Sequence, residues 1–230
     1  MSKYRIMYAK AGPARYLSHL DLLRAFERAA RRAGLPLAFT RGYNPHPKIS
    51  FAAPLGVGTA GEREFADLEL AADILPERVA GDLSGAMPEG LRVIEVRKVP
   101  EQSPPLMSAV GRATYRAVAK LKQPADSDWL AGRIKDFLSL PEILVERKNK
   151  AGEKKLFDIK PGIFSVSGRI DGDIIVVEAE LKAGSSGNVR FEEVLSSLEK
   201  NTGLSVLSRF SLCRTGLYRA GDGDKKKLMW

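Results

Sequence analysis

The stretch from Tyr16 to Leu70, YLSHLDLLRAFERAARRAGLPLAFTRGYNPHPKISFAAPLGVGTAGEREFADLEL, concentrates the side chains that could do chemistry. Both histidines of the chain, His19 and His46, fall within it. A neutral imidazole can accept or donate a proton near neutral pH, so these are the candidate acid–base groups. Around them stand Arg24, Arg28, Arg31, Arg32, Arg41 and Lys48. A guanidinium fork matches two phosphate oxygens at once, which makes Arg24, Arg28, Arg31, Arg41 and Lys48, with Asn44 and His46 from the intervening loop, a candidate anion-binding face. Tyr16, Tyr43 and Phe51 offer rings on which unpaired bases can stack. The plainer alternatives are a helix-capping His19, a turn-shaping His46 and a solvated arginine face.

Charge supports the anion reading. The excess of 37 Lys+Arg over 28 Asp+Glu gives a formal net charge of +9, which draws polyanions by long-range attraction. It is uneven: the first fifty residues carry Lys3, Arg5, Lys10, Arg15, Arg24, Arg28, Arg31, Arg32, Arg41 and Lys48 against Asp21 and Glu27 alone. A second cluster, Arg147, Lys148, Lys150, Lys154 and Lys155, flanks an Ala-Gly-Glu turn, and Lys225 to Lys227 lie in a basic tail that reads as solvated.

Other chemistries are poorly served. One cysteine, Cys213, allows no intramolecular disulfide, and with two histidines it argues against a zinc or iron–sulfur site of Cys/His type. Asp67, Glu69 and Asp158 have no recognisable metal-ligand spacing, so neither a metal nor another cofactor is expected. Gly56, Val57, Gly58 and Gly61 match neither a dinucleotide fingerprint nor a P-loop, and read as a turn. No apolar run is long enough to span a bilayer and MSKYRIMYAKAG does not read as a signal peptide, so a cytoplasmic location is expected.

The elements that must position these residues follow from pattern. Tyr4 to Lys10 predicts a strand, broken by Gly12-Pro13. Ser18, with Asp21 three residues on, matches a capping box and starts a helix with His19 at its first position. Leu20, Leu23, Phe26, Ala30 and Ala33 predict its buried stripe, the arginines its outer side and Gly34 its end. Leu35 to Thr40 reads as a short strand, Arg41 to Lys48 as a loop stiffened by Pro45 and Pro47, and Ile49 to Ala53 as extended. Glu64 to Leu70 predicts a strand, Pro76 to Met87 a helix and Leu91 to Val99 a strand. The order β-α-β-β-α-β predicts a ferredoxin-like unit over residues 1–100, an antiparallel sheet with both helices on one face.

Residues 101–111, with Pro104-Pro105, read as a linker. A second α+β unit is expected over 112–220: strand Ala113 to Leu121, helix Asp128 to Leu138, a hairpin of Ile143 to Lys148 with Lys155 to Ile159, strands Ile163 to Arg169 and Ile174 to Leu181, helix Phe191 to Glu199 and a strand region Val206 to Tyr218. Residues 221–230 form the basic tail. The fold class is therefore α+β, two tandem ferredoxin-like (βαββαβ) units with antiparallel sheets, the second with an extra β-hairpin.

The runs SHLDLLRAFERAARRAGLP, GYNPHPKISFAAPLGVG and EREFADLEL resemble the DUF2344 family, also described as radical SAM-linked proteins. Weaker agreement continues through KLFDIKP, GNVRFEEVL and RTGLY. The family pattern covers Ser18, His19, Asp21, Arg24, Arg28, Gly42, Pro45, His46, Pro47, Ser50 and Phe51. The resemblance implies a partner, a cobalamin-type radical SAM enzyme, and carries over no catalytic residue. With a single cysteine the chain lacks the triplet that a radical SAM cluster needs, so it would be the accessory half. By analogy of fold, the tandem arrangement is also similar to repeat-associated RNA-processing endonucleases, some of which use a histidine without metal.

Three functions are therefore expected to compete. One is an RNA-binding accessory protein acting with the radical SAM enzyme. Another is a metal-independent RNA endonuclease using His19 or His46. The third is a protein-interaction module docking on the same partner.

Overall fold

The computed structural model describes residues 1–148, 152–220 and 229–230. Lys150, Ala151 and Lys225 to Lys227, singled out from sequence, lie outside the described residues. The chain is an α+β protein whose strand pairings are mostly antiparallel. It divides into two compact units, Met1–Gly111 with Cys213–Trp230, and Arg112–Leu212.

The first unit begins with β1 (Ser2–Lys10), followed by a 3-10 turn (Gly12–Tyr16), α1 (His19–Arg32), β2 (Ile49–Phe51), β3 (Ala60–Leu70), α2 (Pro76–Ala86) and β4 (Leu91–Val99). Its strands run in the order β4-β1-β3, with β2 also paired to β3. Antiparallel register sets Tyr4 against Leu68, Ile6 against Ala66 and Tyr8 against Glu64. Side chains alternate across a strand, so Tyr4, Ile6, Tyr8, Ala66 and Leu68 share one face. Phe26, Ala29 and Ala30 of α1 and Val79 and Leu83 of α2 complete that core.

The predicted stripe of α1 needs a correction. The residues that turn inward are Leu22, Phe26, Ala29 and Ala30, while Leu20 is 54% exposed. Phe26 meets both Tyr8 and Phe51, Leu22 lies one turn before it on the same side of the helix, and Leu20 falls outside that arc. The segment expected as a strand at 35–40 makes only isolated bridges, Leu37 with Leu70 and Phe39 with Pro47.

The opposite face of this sheet is covered as well. The stretch 101–111, expected as a linker, contains α3 (Leu106–Ala109), whose Leu106 is buried, and Lys3 donates to the carbonyl of Ser103 (3.3 Å). Met229 is buried against Arg5, which donates to its carbonyl (2.6 Å), and the Trp230 ring meets Phe65 edge-on with Arg97 4.1 Å above it. The unit therefore has apolar contact on both sides of its sheet.

The second unit holds most of β5 (Val110–Lys120), then α4 (Ser127–Ser139), β6 (Leu144–Lys148), β7 (Lys154–Asp158), a 3-10 turn (Lys160–Gly162), β8 (Ile163–Asp171), β9 (Ile174–Lys182) and α5 (Phe191–Thr202). β9 is paired antiparallel with both β5 and β8. Ala117, Ala119, Ile175, Val177, Ala179 and Leu181 pack against Leu130, Ile134 and Phe137 of α4 and Val194, Leu195 and Leu198 of α5. β6 and β7 form a separate two-stranded ribbon.

The last strand, β10 (Ser211–Arg219), was expected to end the second unit, yet from Cys213 onward it belongs to the first. It runs parallel to β3, with Cys213 opposite Ala60 and Arg214 opposite Gly61. A long-range parallel pairing leaves no trace in local pattern.

Candidate functional site

The predicted face is built on α1 and the loop after it. Ser18 is in extended backbone, and its hydroxyl accepts from the amide of Asp21 (3.2 Å) and donates to the Asp21 carboxylate (2.6 Å), which caps the helix. Gly34, at φ +67°, ends it in the left-handed region that a side chain would oppose. His19 is thereby fixed at the first helical position, an exposed residue whose ring meets Phe51 edge-on at 5.5 Å. Phe51 in turn contacts Phe26 and Tyr8, so the imidazole leans on the core of the unit.

Arg24, Arg28 and Arg31 are exposed and recur at i, i+4 and i+7, one side of the helix. Arg24 approaches Asp21 at 3.8 Å, and Arg31 pairs with Glu27 at 2.8 Å. Arg28 has no ion-pair partner among the described residues. Arg32 is turned away, donating to the carbonyl of Ala86 (2.6 Å) at the end of α2. Exposed ion pairs of this kind contribute roughly 0–1 kcal/mol, so they leave these guanidinium groups available to a stronger anion.

The loop is clamped at its base and open at its tip. Thr40 and His46 exchange two bonds: the Thr40 amide donates to the His46 carbonyl (2.9 Å) and the His46 amide to the Thr40 hydroxyl (2.9 Å). Arg41, Tyr43, Asn44 and His46 are all exposed. Lys48 is different: it is half-buried and paired with Glu69 at 2.7 Å, so its charge is largely satisfied within the fold. No hydrogen bond joins His19 to His46 among the described residues; one is held on Phe51, the other on Thr40.

The charges that sequence alone did not single out lie inside. Glu64 and Arg214 are buried, the guanidinium donating to the carboxylate through Nε (2.8 Å) and to the carbonyls of Ala53 (2.7 Å) and Pro54 (3.2 Å). Lys10, also buried, donates to the carbonyl of Leu17 (3.0 Å), directly before the Ser18 cap. Burial lowers the pKa of Lys10, with Glu64 opposing that shift and Arg214 reinforcing it. Burial also pushes Tyr8 well above its ordinary value, and the Glu64 carboxylate adds to the effect. This group ties β1, β3 and β10 to the backbone just after Phe51 and just before His19. A parity signal was present: Lys10 falls on the Tyr4, Ile6, Tyr8 side of its strand, and Glu64 on the Ala66, Leu68 side of its own.

On the other face, Arg5 grips Asp67 with two bonds (2.8 and 3.0 Å) and Lys3 lies 3.2 Å from the same carboxylate. With Glu69 on Lys48, two of the three carboxylates considered for metal are engaged by cations, and the third, Asp158, accepts from the amides of Ile143 (2.9 Å) and Lys160 (3.0 Å). No cluster of three or more metal-ligating side chains occurs among the described residues. Among those residues, too, no helix is long and apolar enough to cross a membrane.

Comparison of structures finds similarity over 95% of this chain to one described as "Crystal Structure of a Cbf5-Nop10-Gar1 Complex", at 12% identity and a TM-score of 0.53. A chain of an archaeal box H/ACA sRNP Nop10-Cbf5 complex is similar over the same share, at 11% identity and a TM-score of 0.49. At such identities the first likeness concerns the fold alone, and the present chain spans 50% of the length of each. No curated protein matches the sequence. A sequence model described as "Uncharacterized protein conserved in bacteria (DUF2344)" matches residues 3–191, most of the chain, which therefore belongs to the DUF2344 family.

Proposed function

We propose that this chain is an RNA-binding accessory protein of a cobalamin-type radical SAM enzyme, built as two tandem ferredoxin-like units. The tandem reading is supported by the order of elements along the chain: β1-α1-β2-β3-α2-β4 in the first half, and β5-α4-β8-β9-α5-β10 in the second, with the β6–β7 ribbon inserted after α4 and the closing strand β10 packed, from Cys213 onward, in the first unit. The radical SAM partner rests on the family resemblance, and the cluster would be the partner's, since this chain has one cysteine.

The observations that carry the RNA reading are the exposed row of Arg24, Arg28 and Arg31 on α1 and a clamped loop whose tip presents Arg41, Tyr43, Asn44 and His46. Guanidinium groups neutralise phosphates, and Tyr43, fully exposed, gives a base a face to stack on. Lys48 contributes less than its charge suggested, because Glu69 already holds it.

The test is a binding titration of cellular RNA, and of a size-matched DNA duplex, at two salt concentrations. Replacing Arg24, Arg28 and Arg31 together by Ala is expected to weaken RNA binding and to lower the slope of log affinity against log salt by about 2, at roughly 0.7 per phosphate contact on a single strand. Binding unchanged in the triple variant would mean that this face is not the one used. Capture of the radical SAM partner without RNA affinity would favour the docking module.

One observation favours the endonuclease as a second reading: His19 and His46 are both exposed, and the His19 ring is held edge-on by Phe51. An imidazole so placed could take the proton of a ribose 2′-hydroxyl while the arginines stabilise the developing charge. This reading requires RNA to be shortened in EDTA, and the cleavage to be lost in His19→Ala or His46→Ala.

A further inference from the structure

The sheet of the second unit ends in an open strand. β9 pairs with one side of β8, and among the described residues no strand pairs with the other. The amide and carbonyl of Ile170 face that free side, where the Ser127 hydroxyl accepts from the amide (3.0 Å) and donates to the carbonyl (3.3 Å). Backbone groups alternate in direction along an antiparallel strand, so the amides and carbonyls of Gly168 and Val166 face the same side. Such a row is a template for another strand, and protein edges are commonly blunted by proline, an inward charge or a bulge. β8 has no proline, and its register shift, between Ile163 and Ser165, comes before this row.

Alongside the row runs a groove of about 550 Å³, lined by Ala131, Lys135 and Leu138 of α4 and by Val166, Ser167 and Gly168 of β8. Its floor is apolar, with Ile134 and Val166 buried. A Cβ at Gly168 would lie 2.7 Å from Leu130 Cδ2 and 3.1 Å from Ile134 Cδ1, so α4 sits directly on the strand and the wall of the groove is fixed. Lys135 is exposed and has no ion-pair partner among the described residues, since the neighbouring Asp136 pairs with Arg133 (3.6 Å). Arg169, also exposed and without an ion-pair partner among those residues, projects on the opposite face of the strand from Val166 and Gly168. The end at Ser127 and Ile170 differs, because the exposed Asp128 and Asp171 adjoin it.

We propose that β8 and α4 receive an extended acidic peptide segment of another protein, added as a strand along Val166 to Gly168. An added strand presents alternate side chains to its two faces, so the two cations are met separately. One face sets apolar residues over Ile134 and an acid on Lys135; the other sets an acid beside Arg169. Main-chain bonds to the free edge hold the segment, and Asp128 with Asp171 repels it from the Ser127 end. A second copy of this chain is the poorer occupant. The free groups of Val166 and Gly168 centre on Ser167, so a two-fold axis there would bring two Lys135 ammonium groups into one groove. The site does not rest on the RNA-binding reading.

The test titrates the full chain against a fluorescein-labelled peptide, Thr-Val-Thr-Glu-Glu-Leu-Thr, followed by fluorescence anisotropy at moderate salt. Saturable binding is expected, weakened about tenfold by Lys135→Glu and restored by Lys135→Arg. Circular dichroism melts should coincide for wild type and both variants, since Lys135 is exposed. Methylating the peptide's amides at alternate residues gives two further probes. One set of amides faces β8 and the other faces away, so one probe is expected to lose binding and the other to keep it, a signature that charge attraction alone does not produce. Equal affinity of the two methylated peptides, unchanged affinity in Lys135→Glu, or no saturation of the wild type overturns the proposal. A wild-type dimer in equilibrium sedimentation that the peptide does not dissociate would assign β8 to a second copy and overturn it too. Single-stranded RNA that displaces the peptide from wild type and no longer binds Lys135→Glu would assign the groove to nucleic acid, again overturning the peptide site.

Discussion

Arg214 and Glu64 show how a single buried pair can hold several backbone segments. The guanidinium satisfies one carboxylate and two carbonyls, so removing either charge leaves the other in a site closed to water. Breaking such a pair typically costs about 3–5 kcal/mol, whereas replacing both partners with apolar residues costs much less. Arg214→Met alone is therefore expected to lower the urea midpoint sharply, and Arg214→Met with Glu64→Leu to recover part of the loss. A single variant as stable as wild type would show that the pair does not hold the fold.

Asp73 makes a small acid-sensitive contribution to stability, since its pair with Lys98 is exposed and screened by solvent. The Lys98 ammonium, with help from the Ser2 hydroxyl and then from Tyr4, holds its carboxyl below the ordinary value of 3.8. The unfolded chain takes up that proton at a higher pH than the folded one. The contribution is thus complete above the ordinary value and disappears as pH falls through the folded pKa. Between neutral pH and strong acid, wild type should lose more of its urea midpoint than Asp73→Asn; parallel pH profiles would refute the assignment.

At the scale of elements, local rules placed α1 well. A Ser cap, an apolar period and a Gly stop are read from neighbouring residues, and the helix begins and ends where they put it. Which of its apolar residues face inward was less legible: the expected stripe took Leu20, whereas the core buries Leu22, one turn before the Phe26 that meets Tyr8 and Phe51. The turn before β4 makes a sharper demand. Gly90 has φ +83°, and a Cβ there would lie 2.3 Å from the carbonyl oxygen of Ala11 and 2.8 Å from the Ala14 methyl. Gly90→Ala is expected to cost about 2–4 kcal/mol from backbone strain and overlap together, read as a lower melting temperature. A variant that melts with wild type would mean that this turn readily rearranges.

At the scale of the molecule, the first unit is not continuous in sequence. Residues 1–111 lack Arg214 to satisfy Glu64, and lack Met229 and Trp230 to cover Arg5 and Phe65. A fragment ending at Gly111 is therefore expected not to melt cooperatively, despite containing α1, α2, α3 and the strands β1 to β4. A cooperative thermal transition near that of the full chain, followed by circular dichroism, would refute this.

The +9 charge likewise reads differently in three dimensions, because Lys3, Arg5 and Lys10 count toward the basic N-terminal stretch yet are buried and partnered. The sequence by itself determined the order of the longer helices and strands, though neither α3 nor the absence of a strand at 35–40, together with the capped start of α1 with His19 at its head, the spacing of Arg24, Arg28 and Arg31 on one side, and the basic ribbon, all consequences of contacts within a few residues. Only the tertiary structure decided which cations are interior and which remain for a ligand. Strand alternation says that Lys3 and Arg5 share a face, but whether that face meets water depends on residues as distant as Ser103 and Met229. Burying such a charge requires a partner brought from far along the chain, and no local period records where that partner will come from.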